Sequence, residues 1–228
     1  PMSESDFQKI LEDVQEISEL LDFNVIFIGG VATYLYSEKH NFFPEFSHDA
    51  DFYMSQYDVY DLEDMYGVAS KNTRLKKSEL QIRGVDYDIY IENQNKMIVD
   101  YPELMVNSII INNIARVPAI EYLILLKYQA FKDRQNSHKG EKDARDLLKL
   151  MYFGNKEKQN KYIVEQHFDK EMISALKSIN SVKIIDDITD KNSYQSSIIK
   201  REIDSYIDYL SASVQNEKKI SVVRKPTH

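Results

Sequence analysis

Two aspartates separated by one residue, Asp49 and Asp51, follow a glycine pair, Gly29-Gly30, in the first quarter of the chain. Residues two apart on a β-strand project from the same face, so both carboxylates would point to one place. Mg²⁺ prefers oxygen ligands and commonly binds one or two carboxylates together with substrate phosphates. The spacing therefore predicts a site for Mg²⁺, or for Mn²⁺, beside a bound nucleotide. The structural alternative is an exposed strand edge with two solvated acids.

The glycine pair lies between an apolar stretch at 24–28, which predicts a short strand, and a segment at 31–37 that predicts a helix. A strand that turns through glycine into a helix leaves backbone N–H groups pointing outward. Those donors and the helix dipole favour an anion such as phosphate. We therefore predict that Gly29 and Gly30 bind nucleotide phosphates. Close packing at the junction is the alternative reason for glycine there.

A third carboxylate is expected from a neighbouring strand, predicted over 81–92. Asp86 and Asp88 lie two apart in this segment and share a face. We favour Asp88 as the third metal ligand because it enters the more apolar run 89–91, where a carboxylate needs a partner or a metal. Asp86 is the second choice, and both acids could instead face solvent.

Charged side chains in the second half of the chain form another candidate group. Lys127 lies among leucines in a predicted helix, so its stem would pack while its amine emerges into a cleft and binds a triphosphate. Asp143 and Asp146 are three apart on a predicted helix and share a face. They could pair with Arg134 or Lys142, or orient a substrate. Surface ion pairs on solvated helices are the alternative.

The elements that would position these residues divide the chain in two. In the first part the pattern predicts a helix over 5–21, further helices at 31–37 and 57–70, and strands at 24–28, 50–54, 81–92, 108–111 and 114–117. From Pro118 onward it predicts helices alone, at 119–134, 140–153, 157–167, 170–178 and 194–211, with a fraying end over 212–228. We predict an α+β fold: a mixed sheet flanked by helices in a domain over 1–117, then a helical bundle domain over 118–228.

Composition narrows the function classes. The net charge is −8, and residues 1–64 hold 15 acids against two bases. This excludes a uniformly basic nucleic-acid binder but permits an acidic metal-binding half joined to a mildly basic half. The chain has no cysteine, no apolar run long enough to span a bilayer and no secretory signal pattern at its start. We expect a cytoplasmic protein without a membrane partner.

These segments together resemble the AbiEii/AbiGii-type nucleotidyltransferases, which occur in toxin–antitoxin systems and belong to the polymerase-beta-like nucleotidyltransferase superfamily. The family pattern begins with a strand, a glycine pair and a helix, followed by Ser/Thr-x-Asp-x-Asp, which here is Ser47-His48-Asp49-Ala50-Asp51. Its later part is Lys-x-x-Ala, an arginine and Lys-Asp-x-x-Asp-Leu. In this chain that part reads Lys127-Tyr128-Gln129-Ala130, Arg134 and Lys142-Asp143-Ala144-Arg145-Asp146-Leu147.

The resemblance implies a nucleotidyltransferase fold with a helical C-terminal bundle. It implies transfer of NMP from an NTP to an RNA 3′ end, such as that of tRNA, or to a protein hydroxyl, with an antitoxin as a possible partner. Asp49 and Asp51 would carry the metal, and Lys127 and Asp143 would be catalytic residues of the nucleotide site. The matching positions Ser47, Arg134 and Lys142 are expected to bind the nucleotide as well.

The sequence departs from the family at two places, since His48 and Ala50 replace the charged and branched residues often found around the acids. Two other functions stay open. One is a catalytically inactive binding module with the same fold. The other is a small-molecule nucleotidyltransferase of the antibiotic-modifying kind, which would need an acidic pocket for a cationic acceptor.

Overall fold

The computed structural model describes residues 3–134 and 136–223, and the chain divides into two compact units, Pro1–Ala119 and Ile120–His228. The first unit is built on a sheet and the second is helical. The predicted fold class, α+β with a mixed sheet flanked by helices and then a helical region, is confirmed. Of the helices in the described ranges, none combines the length and the apolar character needed to cross a bilayer.

The first unit contains a seven-stranded mixed sheet in the order β3-β4-β5-β2-β1-β7-β6. Its strands are β1 (Val25–Ile28), β2 (Asp49–Met54), β3 (Ser70–Asn72), β4 (Lys77–Ile82), β5 (Val85–Ile91), β6 (Ser108–Ile111) and β7 (Ala115–Pro118). The pairs β2–β5 and β1–β7 are parallel, and the other neighbours are antiparallel. The apolar strand β1 lies in the interior of the sheet between β2 and β7 and is fully buried.

The helices of this unit are α1 (Glu4–Leu20), α2 (Gly29–Lys39), α3 (Val59–Tyr66) and α4 (Tyr101–Val106). Helix α1 is amphipathic, and the Ser3 side chain caps its first turn by accepting a hydrogen bond from the Asp6 amide. The buried face of α1 includes Asp13, which accepts hydrogen bonds from the Tyr87 hydroxyl of β5 and from the Arg83 guanidinium. The helix therefore covers the face of the sheet to which Tyr87 points.

Burial alternates along the strands that carry the predicted acids. In β2 the even-numbered residues Ala50, Phe52 and Met54 are buried, whereas Asp49 is exposed and Asp51 is partly exposed. Strand β5 alternates in the same way, with its odd-numbered residues facing the core from Tyr87 onward. One face of the sheet is therefore packed under α1, and the opposite face carries the carboxylates.

The second unit consists of α5 (Ile120–Arg134), α6 (His138–Gly154), α7 (Lys161–His167), α8 (Lys170–Ile179), α9 (Val182–Ile188) and α10 (Ser193–Val223). Helix α10 packs against α6 to α9. Gly154 allows one close approach, because a Cβ atom there would lie 2.3 Å from the Tyr206 ring. Apolar side chains of all six helices form the core of this unit.

Several predicted elements differ from the observed ones. The single strand predicted over 81–92 is a hairpin, because Arg83 and Gly84 both adopt positive φ and turn the chain between β4 and β5. The helix predicted over 57–70 stops at Tyr66, where Gly67 has φ of +94°. The short elements β3, α4 and α9 were not predicted. The end predicted to fray is helical as far as Val223, and residues 224–228 lie outside the described part.

Glu121 gives the second unit a pH-dependent stability. Its carboxylate is buried in the first turn of α5 and accepts a hydrogen bond from the backbone N–H of Asn160 at 2.7 Å. Burial raises the pKa of Glu121 above its ordinary value of 4.5. The unfolded chain then binds fewer protons at this group than the folded chain, so its contribution to stability falls as the pH rises from about 4.5 through the folded-state pKa.

We expect Glu121→Gln to raise Tm at pH 7, because the amide keeps the acceptor oxygen without the charge. The gain should shrink as the pH approaches 4.5, and thermal unfolding across this range measures it. The exposed Glu12→Gln is the control, and its Tm should stay close to that of the unmodified protein. A Glu121→Gln curve that runs parallel to that of the unmodified protein at every pH would contradict the assignment.

Candidate active site

Four carboxylates form a two-by-two array on one face of β2 and β5. The parallel register places Asp49 beside Asp86 and Asp51 beside Asp88. Neighbouring strands are about 4.8 Å apart, so the four side chains emerge close together. Like charges at this spacing repel one another and favour a bound cation. Asp49 and Asp51 share a face of β2, as the sequence predicts, and Asp86 and Asp88 form an equivalent pair on the adjacent strand β5.

Ser47 holds Asp49 in place. This serine is buried just before β2 begins, and its hydroxyl donates a hydrogen bond to Oδ1 of Asp49 at 2.9 Å. The bond restrains the carboxylate, which is otherwise exposed. The sequence resemblance implied nucleotide binding by Ser47, and the structure gives it a contact to the aspartate.

Gly29 brings the start of α2 against Asp51. The antiparallel register pairs Ile28 with Asp51, and Gly29 follows with φ of +62°. A Cβ atom built on Gly29 would lie only 2.6 Å from Oδ2 of Asp51. Glycine is therefore required at this position for two reasons. Its backbone adopts positive φ, and the Asp51 carboxylate occupies the space that a Cβ atom would fill.

The N-terminus of α2 is suited to an anion. Its N-cap residue, Ile28, supplies no capping side chain. The first amides of a helix lack intrahelical acceptors and carry the positive end of the helix dipole. The amides that follow Gly29, beginning with Gly30, therefore lie beside Asp51 where they could bind phosphate oxygens. The predicted metal ligand Asp51 and the predicted phosphate-binding glycines therefore lie side by side.

We expect Gly29→Ala to destabilise the protein by about 1–3 kcal/mol and to lower the affinity for Mg²⁺-NTP, because the new methyl group would displace Asp51. Gly67→Ala is a matched control, since Gly67 also has positive φ but a Cβ added there would meet no atom within 4 Å. Both variants should lose stability through backbone strain. Thermal unfolding and calorimetric titration with Mg²⁺-NTP separate the effects, and equal nucleotide affinities in the two variants would contradict the role of Gly29.

Asp88 has a cation beside it already. The Lys77 ammonium of β4 forms a short ion pair with Oδ2 of Asp88 and lies 3.4 Å from Glu79. Burial lowers the pKa of Lys77, but the hydrogen bond to Asp88 and the charge of that carboxylate outweigh burial and raise the pKa above its ordinary value. Asp86, the second choice for the third ligand, accepts a hydrogen bond from Gln81 at 3.1 Å.

The donor set suits a metal ion that is completed by its substrate. Among the described residues, no group of three or more histidine, cysteine or acidic side chains is arranged to hold a metal ion. Asp49 and Asp51 would therefore supply two carboxylates, and nucleotide phosphates and water would supply the remaining ligands. Lys77 was not found from the sequence, because its strand was predicted to begin at residue 81. The alternation of Lys77, Glu79 and Gln81 was the available signal.

The charged residues predicted in the second half form a buried cluster within the second unit. The Lys127 ammonium of α5 lies 3.2 Å from Oδ1 of Asp143 and 3.0 Å from Oδ2 of Asp146, both on α6. Arg134 donates two hydrogen bonds to Asp143, at 2.6 and 3.1 Å. Lys142 is half-buried and, in the part of the chain that the structure describes, forms no ion pair.

The cluster is well shielded from water. The side chains of Lys127, Asp143 and Asp146 are 11%, 3% and 2% exposed. Burial lowers the pKa of Lys127, but the charges of Asp146 and Asp143 outweigh burial and hold that pKa above its ordinary value. The lysine is therefore positively charged at neutral pH and joins α5 to α6. Roles for these residues in nucleotide binding stay a prediction.

The sequence matches no protein-family model and no curated protein. Among solved structures, the chain is similar to an antigenic nucleotidyltransferase-like protein from Paracoccidioides brasiliensis, with a TM-score of 0.48 and 16% identity over 88% of this chain and 94% of that one. It is also similar to JHP933 from Helicobacter pylori, with a TM-score of 0.47 and 15% identity over 99% of this chain and 100% of that one. At these scores and identities the function has to be inferred from the residues of the site.

Proposed function

We propose that this chain is a metal-dependent nucleotidyltransferase that transfers NMP from an NTP to a hydroxyl group, either at an RNA 3′ end or on a protein. The observation that carries the proposal is the meeting of two elements. Asp49 and Asp51 project from one strand face, and Oδ2 of Asp51 lies against Gly29 at the start of α2. A carboxylate pair beside a helix N-terminus is the combination that a metal-bound triphosphate needs.

Asp49 and Asp51 would hold Mg²⁺ or Mn²⁺, with Ser47 restraining Asp49. The bound metal would polarise the α-phosphate and lower the pKa of the attacking hydroxyl. The first amides of α2 would bind phosphate oxygens and help to neutralise the charge that develops there. The acceptor oxygen bonds to the α-phosphorus, the bond from that phosphorus to the bridging oxygen breaks, the hydroxyl proton passes to solvent, and pyrophosphate leaves.

The finer assignments have separate support. Asp88 is proposed as the third carboxylate from its register beside Asp51, and its Lys77 partner would have to release it to a metal. The proposed nucleotide contacts of Lys127, Asp143, Arg134 and Lys142 rest on the sequence pattern alone. Action as a toxin, opposed by an antitoxin, rests on the same resemblance. Its test is growth arrest on expression in a bacterial host, relieved by loss of the acid pair.

Incubation of the purified protein with each α-³²P-labelled NTP, Mg²⁺, total RNA and total protein tests the proposal. We expect radiolabel on RNA or on protein with the unmodified chain and none with Asp49→Asn. Equal labelling by both proteins, or labelling by neither, would overturn the proposal. Calorimetry with Mg²⁺-NTP then tests the alternative of a catalytically inactive binding module with the same fold. A module that lacks a nucleotide site would release no heat of binding.

A further inference from the structure

A cavity of about 280 Å³ in the first unit is lined by lysines and amides. It lies between the β3–β4 connection and the segment that follows β5. Its lining residues are Lys71, Asn72, Thr73, Lys76, Lys77, Gln94, Asn95 and Lys96. We call this cavity the basic pocket. Four of the eight residues are lysines and none is acidic, in a protein whose net charge is −8.

The positive charge of the basic pocket is only partly neutralised. Lys77 is paired with Asp88 and Glu79. Lys71, Lys76 and Lys96 are exposed, and over the described ranges none of them forms an ion pair. Four lysines line one cavity, so an anion bound there would be attracted by their positive charge.

The basic pocket reaches the face of the sheet that carries the acid array through Lys77 and Asn72, whereas Lys71 pairs with Ser78 and lies on the opposite face. In β4 and β5 the residues on that face are Lys77, Glu79, Asp88 and Tyr90, because Glu79 pairs directly with Asp88 and side chains alternate along each strand. Lys77 thus belongs to the pocket and also touches the array. Strand β4 is two strand spacings, about 10 Å, from β2, and Lys77 lies a further two residues, about 7 Å, along the strands from the level of Asp51, because Glu79 is level with Asp88 and Asp51.

We propose that the basic pocket binds the sugar-phosphate backbone of a single-stranded RNA acceptor, so that its 3′-hydroxyl reaches Asp49 and Asp51. This inference rests on the proposed nucleotidyltransferase activity and selects RNA over protein as the acceptor. Lysines bind phosphates as point charges, and Asn, Gln and Thr side chains donate hydrogen bonds to phosphate and sugar oxygens. The lining has no aliphatic or aromatic residue of the kind that anchors a protein partner.

The salt dependence of RNA binding tests the pocket directly. The variant is Lys71→Ala/Lys76→Ala/Lys96→Ala, which leaves the Lys77–Asp88 pair in place. The control is Lys158→Ala/Lys170→Ala/Lys177→Ala, which removes three exposed lysines of the second unit and has the same net charge. Fluorescence anisotropy of a labelled oligouridine, titrated at several salt concentrations, measures the affinity. Mg²⁺-NTP binding by calorimetry serves as an independent readout.

We expect the pocket variant to bind the RNA about tenfold more weakly at low salt, with the control close to the unmodified protein. Each phosphate contact on a single strand contributes about −0.7 to the slope of log K against log salt, so the slope should become shallower by about 2. Mg²⁺-NTP affinity should be unchanged, because the metal acids and α2 are intact. Matching RNA affinities and slopes in the two triple variants would overturn the inference.

The remaining outcomes separate this inference from the proposed function. Labelling of protein but not of RNA would leave the nucleotidyltransferase standing and reject RNA as the acceptor. Loss of Mg²⁺-NTP affinity in the pocket variant would assign the pocket to the triphosphate instead, and would also reject the inference. A DNA oligonucleotide that binds as tightly as the RNA would show that the pocket recognises phosphate alone, and would overturn the selection of RNA. Absence of transfer by the unmodified protein, with RNA binding lost only in the pocket variant, would reject the enzyme and retain the RNA site.

Discussion

Replacement of Asp51 by asparagine is expected to lower the rate of NMP transfer by at least about 100-fold. The amide has nearly the size of the carboxylate but lacks the charge, so it neither binds Mg²⁺ strongly nor balances the metal beside the triphosphate. Removal of one group that stabilises transition-state charge commonly costs about 10²–10³ in kcat. Transfer of α-³²P-labelled NMP under saturating NTP measures the effect.

The stability of the same variant distinguishes a chemical from a structural role. Asp51 is only partly buried and lies in an array of four acids. Removal of its charge lessens repulsion from Asp49 and Asp88, which offsets the loss of any favourable contact. We therefore expect Tm to change by no more than a few degrees, or to rise. The exposed Asp64→Asn in α3 is the control for a lost surface charge and should transfer NMP at the normal rate.

Two results would contradict this account of Asp51. One is transfer by Asp51→Asn at a rate near that of the control. The other is a large fall in Tm that accompanies the loss of activity, because Asp51 would then act mainly in folding. The paired variants Asp86→Asn and Asp88→Asn extend the experiment. The larger loss of activity identifies the third carboxylate, which the register alone leaves open because both acids lie beside the predicted metal ligands.

Short-range patterns made the acid pair predictable. The period of two along a strand placed Asp49 and Asp51 on one face, and the glycine pair indicated the turn into α2. The left-handed conformation of Gly29 and its contact distance to Asp51 depend on the pairing of β1 with β2. The pairing of these strands is a tertiary property, so the sequence could indicate that glycine was needed but not which side chain required the space.

Partners across strands and helices were harder to predict. Lys77 reaches Asp88 only because Arg83 and Gly84 turn the chain back, and positive φ at an arginine leaves little trace in a sequence. Strand β3 is three polar residues at the edge of the sheet, without the alternation that indicates a strand. Helix spacing placed Asp143 and Asp146 on one face of α6. Their partner Lys127 follows from the packing of α5 on α6, which helix periodicity alone does not specify.

Replacement of Lys127 by methionine is expected to destabilise the protein by about 3–5 kcal/mol, because removing one member of a buried ion pair leaves a buried charge uncompensated. Methionine fills a similar volume but leaves Asp146 without its ammonium partner, while Asp143 keeps its ion pair with Arg134. Lys132→Met on the same helix is the matched control, since Lys132 pairs with Glu171 in an exposed position and its loss should change stability far less. Urea unfolding at neutral pH measures both.

A second substitution shows whether the cost arises from unpaired carboxylates. If the unpaired carboxylate of Asp146 destabilises Lys127→Met, the double variant Lys127→Met/Asp146→Asn should be more stable than Lys127→Met. This holds although Asp146→Asn alone removes a favourable pair. Additive losses in the double variant would contradict the ion-pair explanation. Mg²⁺-NTP binding at a temperature where Lys127→Met is fully folded then separates the two roles of the lysine. Unchanged affinity would assign Lys127 to the joining of α5 and α6, whereas a loss beyond that of Lys132→Met would support the nucleotide contact that the sequence pattern implies.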